Sequence, residues 1–178
     1  EGNTSIKLVL DGMSVEAAEL QSSDAFAIPD DCDLLILNGP NTDITEKMYV
    51  AMTDYISKGG KMLVAVDYSQ NNVTEKYDRL NQLLNQMNVN ADPLFIYETD
   101  PGYQRNGYAS DSNVTVANAF ASYSSDYALH CSNGRSISEL SSTNSAITVI
   151  PALMTSSTAY ALKLDQTGNP IDDGIYNS

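Results

Sequence analysis

DLLILNGPNTDITEKMYVAMTDYISKGGKMLVAVD, residues 33–67, is the stretch that decides the fold class. Leu34–Leu37 and Met62–Val66 are unbroken apolar runs, the pattern of strands buried on both faces of a parallel sheet. Between them Ile44, Met48, Met52, Tyr55 and Ile56 recur at helical spacing and make one apolar stripe. Asp43, with Glu46 three residues on, reads as the capping pair that starts the helix. Lys58 suits the negative end of the last turn, and Gly59 supplies the left-handed residue that stops it. Strand, helix and strand with these junctions predict an α/β domain.

Outward from this unit, Ile6–Leu10 reads as a strand closed by an Asp11-Gly12 turn. Val15–Leu20 fits a strand or a short helix equally well. The acidic cluster Asp30, Asp31 and Asp33 lacks the alternating ligands and glycine of a calcium loop, and reads as a solvated turn. Downstream, Val73, Tyr77, Leu80, Leu84 and Met87 predict a second helix, started by Asn72 with Glu75 and stopped at Asn88. Leu94–Tyr97 predicts a third strand. Strands alternating with helices give parallel units with right-handed crossovers. Residues 100–126 are rich in Gly, Ser, Asn and Tyr and read as a long loop, in which Tyr103, Tyr108 and Tyr123 are stacking candidates for a sugar or peptide. The last third reads as β-rich, with short apolar segments at Tyr127–His130, Ile137–Leu140, Ala146–Leu153 and Tyr160–Leu164.

Nine basic against twenty-three acidic residues give a formal charge of −14 in 178 residues. That surface repels nucleic acid and anionic lipid head groups, so neither is an expected partner. The length suits one domain. Abundant Ser, Thr, Asn and Tyr with few Lys and Arg is a mix common in extracytoplasmic proteins. The first residue is Glu, no apolar run approaches membrane-spanning length, and the chain closes on NPIDDGIYNS. It reads as a fragment of a longer, membrane-anchored protein.

Motifs for chemistry are sparse. Cys32 and Cys131 are too few for a disulfide framework, and a single bridge between them stays open where the compartment is oxidising and the fold brings them together. His130 is the only histidine and adjoins Cys131, so on a strand the two point to opposite faces and cannot act as a pair. Gly59-Gly60-Lys61 lacks the spacing of a phosphate loop, no Cys or His cluster has zinc spacing, and no cofactor is implied. Asn3, Asn72 and Asn113 each begin a glycosylation sequon, which matters only in a glycosylating pathway.

IPDDCDLLILNGPNTDITEKMYVAMTDYISKGGKMLVAVDY has the Ile-Pro lead, apolar strand, Gly-Pro turn, helix, Gly-Gly and Asp-terminated strand of a known block. NGRSISEL followed by AITVIPALMTSSTAYAL is similar to a second. Together they resemble the extracytoplasmic domain of ABC-type transport-system proteins related to the gliding-motility auxiliary component. The resemblance implies a three-layer, mostly parallel sheet, flavodoxin-like and similar to class I glutamine amidotransferases, with a β-rich C-terminal part. It also implies a domain outside the cytoplasm, membrane-tethered and working with an ABC permease and ATPase. Amidotransferase-like enzymes hold a Cys at a strand-to-helix elbow. Here those turns carry Asn38-Gly39-Pro40 and Asp67-Tyr68-Ser69, so the activity does not carry over.

The expected function is therefore a non-enzymatic auxiliary domain that binds a small ligand or docks to a partner subunit. Ligands of open α/β sheets bind beyond the carboxyl ends of the strands. Asn38, Gly39 and Asp67 would floor such a site, and Arg135 and Ser136 would close one side. Two alternatives stand beside this. One is a surface carbohydrate hydrolase using Asp67 and Glu98, which requires carboxyls about 5–10 Å apart. The other is a structural interaction module with an apolar patch and no pocket.

Overall fold

The computed structural model describes residues 2–23, 25–68, 77–117, 129–141, 144–165, 167, 169, 171 and 176–177. The 33–67 unit forms as its sequence dictates. Strand β1 (Leu34–Asn38) and strand β2 (Lys61–Ala65) pair in parallel, Leu34 opposite Lys61 through Asn38 opposite Ala65. They are joined by helix α2 (Glu46–Ser57), which follows an N-terminal helix α1 (Gly2–Gly12). Ile44, Met48 and Met52 are buried, and Tyr55 and Ile56 pack against the same cluster. The N-cap is Thr45, whose hydroxyl accepts the Met48 amide at 3.2 Å, rather than Asp43. Asp43 reaches further. Its carboxylate accepts the Arg79 and Leu80 amides at 2.7 and 3.0 Å, capping helix α3 (Asp78–Asn85). At the other end of α2, the Gly59 amide bonds Ile56 O and the Gly60 amide bonds Tyr55 O, the two bonds that close a Schellman stop.

Beyond α3 the architecture departs from the expected parallel sheet. Strand β3 (Val89–Glu98) does not join β1 and β2. It pairs antiparallel with β7 (Arg135–Glu139) and β9 (Ala159–Leu162), and β10 (Tyr176–Asn177) adds to β9. Of the loop expected over 100–126, residues 104–116 instead form strands about a tight turn, and 118–126 lie outside the described residues. Strands β4 (Gln104–Arg105) and β5 (Tyr108–Val116) form a hairpin, β6 (Leu129–Ser132) extends it, and β8 (Leu153–Met154) pairs with the end of β5. The mostly parallel, flavodoxin-like three-layer sheet is thus overturned. Among the described residues only β1 with β2 is parallel, and the larger sheets are antiparallel.

Pro93 shapes β3. A proline cannot donate to a ladder, and the β3–β7 register shifts between Ala91 and Phe95. Ile6–Leu10, expected as a strand, lies within α1, and Val15–Leu20 takes neither regular form. The second helix begins at Asp78, after a left-handed Tyr77. Its expected start at Asn72 lies outside the described residues, as do Val73 and Tyr123. The β-rich reading of the last third holds at β6, β7 and β9, while 146–152 carries no strand.

Phe26, Leu35, Ile44, Met48, Met52, Tyr77, Leu80 and Leu83 form the main core between the helices and one face of β1–β2. Tyr68, Phe95, Leu162 and Leu164 form a second cluster on the antiparallel sheet, with the Tyr68 and Phe95 rings edge-on at 5.2 Å.

Candidate functional site

The carboxyl edge of β1–β2 is built by a chain of short-range necessities. Gly39 leaves β1 with φ +53, a conformation that favours glycine, and its amide bonds Ala65 O at 2.8 Å. A Cβ there would lie 3.3 Å from Asp67 Oδ2, so the turn and the carboxylate are in close contact. Asp67 bridges to Gly134, and the Tyr68 amide bonds Asn133 O. That bridge brings the segment preceding β7 against the end of β2. The structure therefore gathers the Asn38-Gly39 turn, Asp67 and the Gly134–Ser136 segment into one region, although the last lies more than sixty residues beyond the other two in sequence.

Their side chains have different roles. Asp67 is exposed, whereas Arg135 and Ser136 are buried. Arg135 Nε donates to Asp92 O at 2.6 Å, and the guanidinium lies 4.4 Å from the Tyr77 ring centroid, a cation–π arrangement. The Tyr77 hydroxyl in turn donates to Pro40 O at 2.6 Å. Ser136 and Ser138 donate to the Asp92 carboxylate. The pivot is Asp92, beside the Pro93 break. Arg135 thus ties the Gly-Pro turn to β3 from beneath. Burial pushes the Tyr68 phenol up, against the opposing charge of Arg135.

Two groups matter for catalysis. Glu98 is fully buried, and its carboxylate accepts the Ser156 and Thr158 hydroxyls at 2.5 and 2.6 Å and the Asp100 amide at 2.9 Å. Burial pushes its carboxyl up, but the hydroxyls of Ser156 and Thr158 and the amides of Asp100 and Thr99 outweigh that and leave it below the ordinary range. A carboxylate so enclosed and saturated has no access to a cleft, which removes Glu98 as partner to Asp67 in a hydrolase. Cys131 is unbridged, as is Cys32. Burial, then the Asp67 and Asp111 carboxylates, push the Cys131 thiol up. A protonated thiol is a poor nucleophile.

A surface groove of about 570 Å³ lies at the opposite, amino edge of β1–β2, between Phe26–Asp33 and the end of α2. Tyr55 crosses it, its hydroxyl within 3.1 Å of Cys32 O and 3.2 Å of Lys61 O. The groove is open, and its charged walls include the exposed Lys58–Asp54 pair at 2.7 Å.

One feature escaped the sequence reading. Leu35, Leu37, Met62 and Val64 face the core, but among the described residues nothing covers the other face of the parallel pair. Leu34 is 46% and Leu63 53% exposed, Ala65 is exposed, and Ile36 is half-buried among them. The continuous apolar runs signalled two faces to bury; the described residues cover one. No helix among the described residues is long and apolar enough to cross a membrane.

Residues 10–116, more than half of the chain, match the family described as ABC-type uncharacterized transport system. The matched stretch contains the β1–α2–β2 unit and ends with β5, short of Arg135 and Ser136. No curated protein and no solved structure was found to match.

Proposed function

The chain belongs to the ABC-type uncharacterized transport system auxiliary family, and from that membership we propose that it is a non-catalytic domain that docks onto a partner of the transport machinery. The observation that carries the docking reading is the open face of β1–β2, formed by Leu34, Ile36, Leu63 and Ala65. Parallel strands have both faces covered in nearly all α/β proteins, because helical crossovers pack there. An apolar face left to water marks an interaction surface. These residues all lie within the family-matched stretch. The direct partner is the permease, with the ATPase reached through it, and the domain is placed outside the cytoplasm, in keeping with its few basic residues.

The absence of a thiol at Asn38-Gly39-Pro40 and Asp67-Tyr68-Ser69 supports a non-enzymatic role, as do the Cys131 thiol, pushed up by burial, and the enclosed Glu98. A small ligand at the carboxyl edge would meet Asn38, Gly39 and Asp67, with Arg135 and Ser136 bracing them from below.

Co-expression with the permease of the same transport system tests the proposal. The wild-type domain co-purifies with it, and Leu63→Glu, which buries a charge in the contact, weakens the association by at least about tenfold. Leu63 is exposed, so the variant's thermal unfolding stays close to wild type. Equal recovery of both proteins would contradict docking through this face.

A further inference from the structure

Helix α1 carries an apolar stripe that has no place in this chain's core. Ile6, Val9, Leu10 and Met13 recur at helical spacing, and the Met13 amide continues the last turn by bonding Val9 O at 3.1 Å. Among the described residues, none of the four belongs to a core cluster or packs against one. Ile6 and Leu10 are half-buried, while Val9 is 62% and Met13 68% exposed. An eleven-residue helix without tertiary packing is marginal in water, so this stripe calls for a surface to cover it.

The β1–β2 pair is a surface that lacks a helix. Helix α2 covers one face, and the other leaves Leu34, Leu63 and Ala65 exposed. The helix and the face match in size. Eleven helical residues span about 16 Å and five strand residues about 17 Å. They match in charge as well. Lys61 and Asp67, both exposed, stand on the Leu63 side of β2, one at its amino end and one just past its carboxyl end. A helix antiparallel to the strands, the direction of the crossover helix α2 on the other face, brings its positive amino end and Lys7 toward Asp67. Its negative carboxyl end and Asp11 then lie toward Lys61. Within one chain the two surfaces do not meet, since Val9, Met13 and Leu63 all remain exposed. Residues 13–19 join α1 to Leu20, which packs on the main core, and these seven residues without regular structure reach up to about 23 Å.

We propose that α1 of one copy lies antiparallel on the open β1–β2 face of a second copy, and reciprocally, making a two-fold symmetric dimer by helix exchange. Each copy supplies the helix that the other's sheet lacks, and both apolar surfaces leave water together. This is the face proposed above for docking, so the exchanged helices cap it until the transport partner displaces them. The inference rests on that face being an interaction surface, not on the permease being its partner.

Sedimentation equilibrium of the 178-residue chain alone is expected to show a dimer of twice 19.3 kDa, with a dissociation constant on the order of 10 µM. Val9→Glu, which places a charge in the contact, weakens self-association by at least about tenfold, and Leu63→Glu does likewise. Both positions are exposed within one chain, so both variants fold. Val9→Glu is expected to keep its association with the permease while Leu63→Glu loses it, which separates this test from that of docking. A photo-crosslinking residue at Leu63 locates the contact: in a mixture with a heavy-isotope-labelled unsubstituted copy, it joins β2 to a labelled α1 peptide. Three results would each overturn the proposal: a monomer at ten times the expected dissociation constant, crosslinks to α1 only within the same copy, or a Val9→Glu protein that dimerises as wild type.

Discussion

Gly60 is held by a neighbour rather than by its own dihedrals. A Cβ there would lie 2.4 Å from the Tyr55 ring, whose hydroxyl ties Cys32 O and Lys61 O together at the amino edge of β1–β2. Gly60→Ala therefore destabilises by about 1–3 kcal/mol, the range for overpacking, measured by urea unfolding. Gly-Gly was legible in the sequence as a helix stop, and Gly59, with φ +89, confirms it; the close approach at Gly60 was not, because it depends on where Tyr55 folds back. Glu98 makes the same point over a longer range. Its hydroxyl donors lie 58 and 60 residues away, so no local pattern announces them. Its folded-state pKa is depressed, so its contribution is fully present above the unfolded carboxyl pKa and is lost as pH falls through the folded one. Urea unfolding across the acid range is thus expected to show stability falling with pH in the wild type and a shallower fall in Glu98→Gln, which is less stable at neutral pH by about 2 kcal/mol.

Elements were legible where one face repeats and illegible where partners are distant. The α2 stripe gave its burial correctly from Ile44 to Ile56. Asp43 looked like its cap because it precedes the helix, yet its carboxylate serves α3, thirty-six and thirty-seven residues on. Asp43→Ala is expected to lose about 1–2 kcal/mol, with Arg79 and Leu80 amides exchanging faster with solvent than those of α2. Ile6–Leu10 is short and apolar without internal Gly or Pro, a pattern that strand and helix share, and it folds as helix. The β4–β5 hairpin did carry a readable signal in Asn106-Gly107, both at positive φ, the dipeptide that favours tight hairpin turns. The tyrosine- and serine-rich composition around it drew attention to a loop instead.

Across the molecule, strand–helix–strand alternation predicted a continuing parallel sheet, and after α3 the chain did otherwise. Strand β3 has the apolar content of a buried parallel strand, but which strand it pairs with is set by segments forty and more residues downstream. Among the described residues the result is a two-stranded parallel unit and antiparallel sheets, with one apolar face of the parallel pair left exposed. Of the candidate residues named from the rule that ligands bind beyond strand ends, Gly39 and Asp67 approach each other closely, as the parallel pairing of β1 and β2 requires. That Arg135 stacks on Tyr77 rather than reaching outward needed the packing of β3 and β7 to be known. Docking through the open face is the central claim, and a photo-crosslinking residue at Leu63 tests it most directly, with the same residue at Val50, 56% exposed on α2, as control. In the assembled transport complex, irradiation is predicted to join position 63, and not position 50, to the permease. Crosslinks of equal yield at both positions, or none at 63, would contradict it.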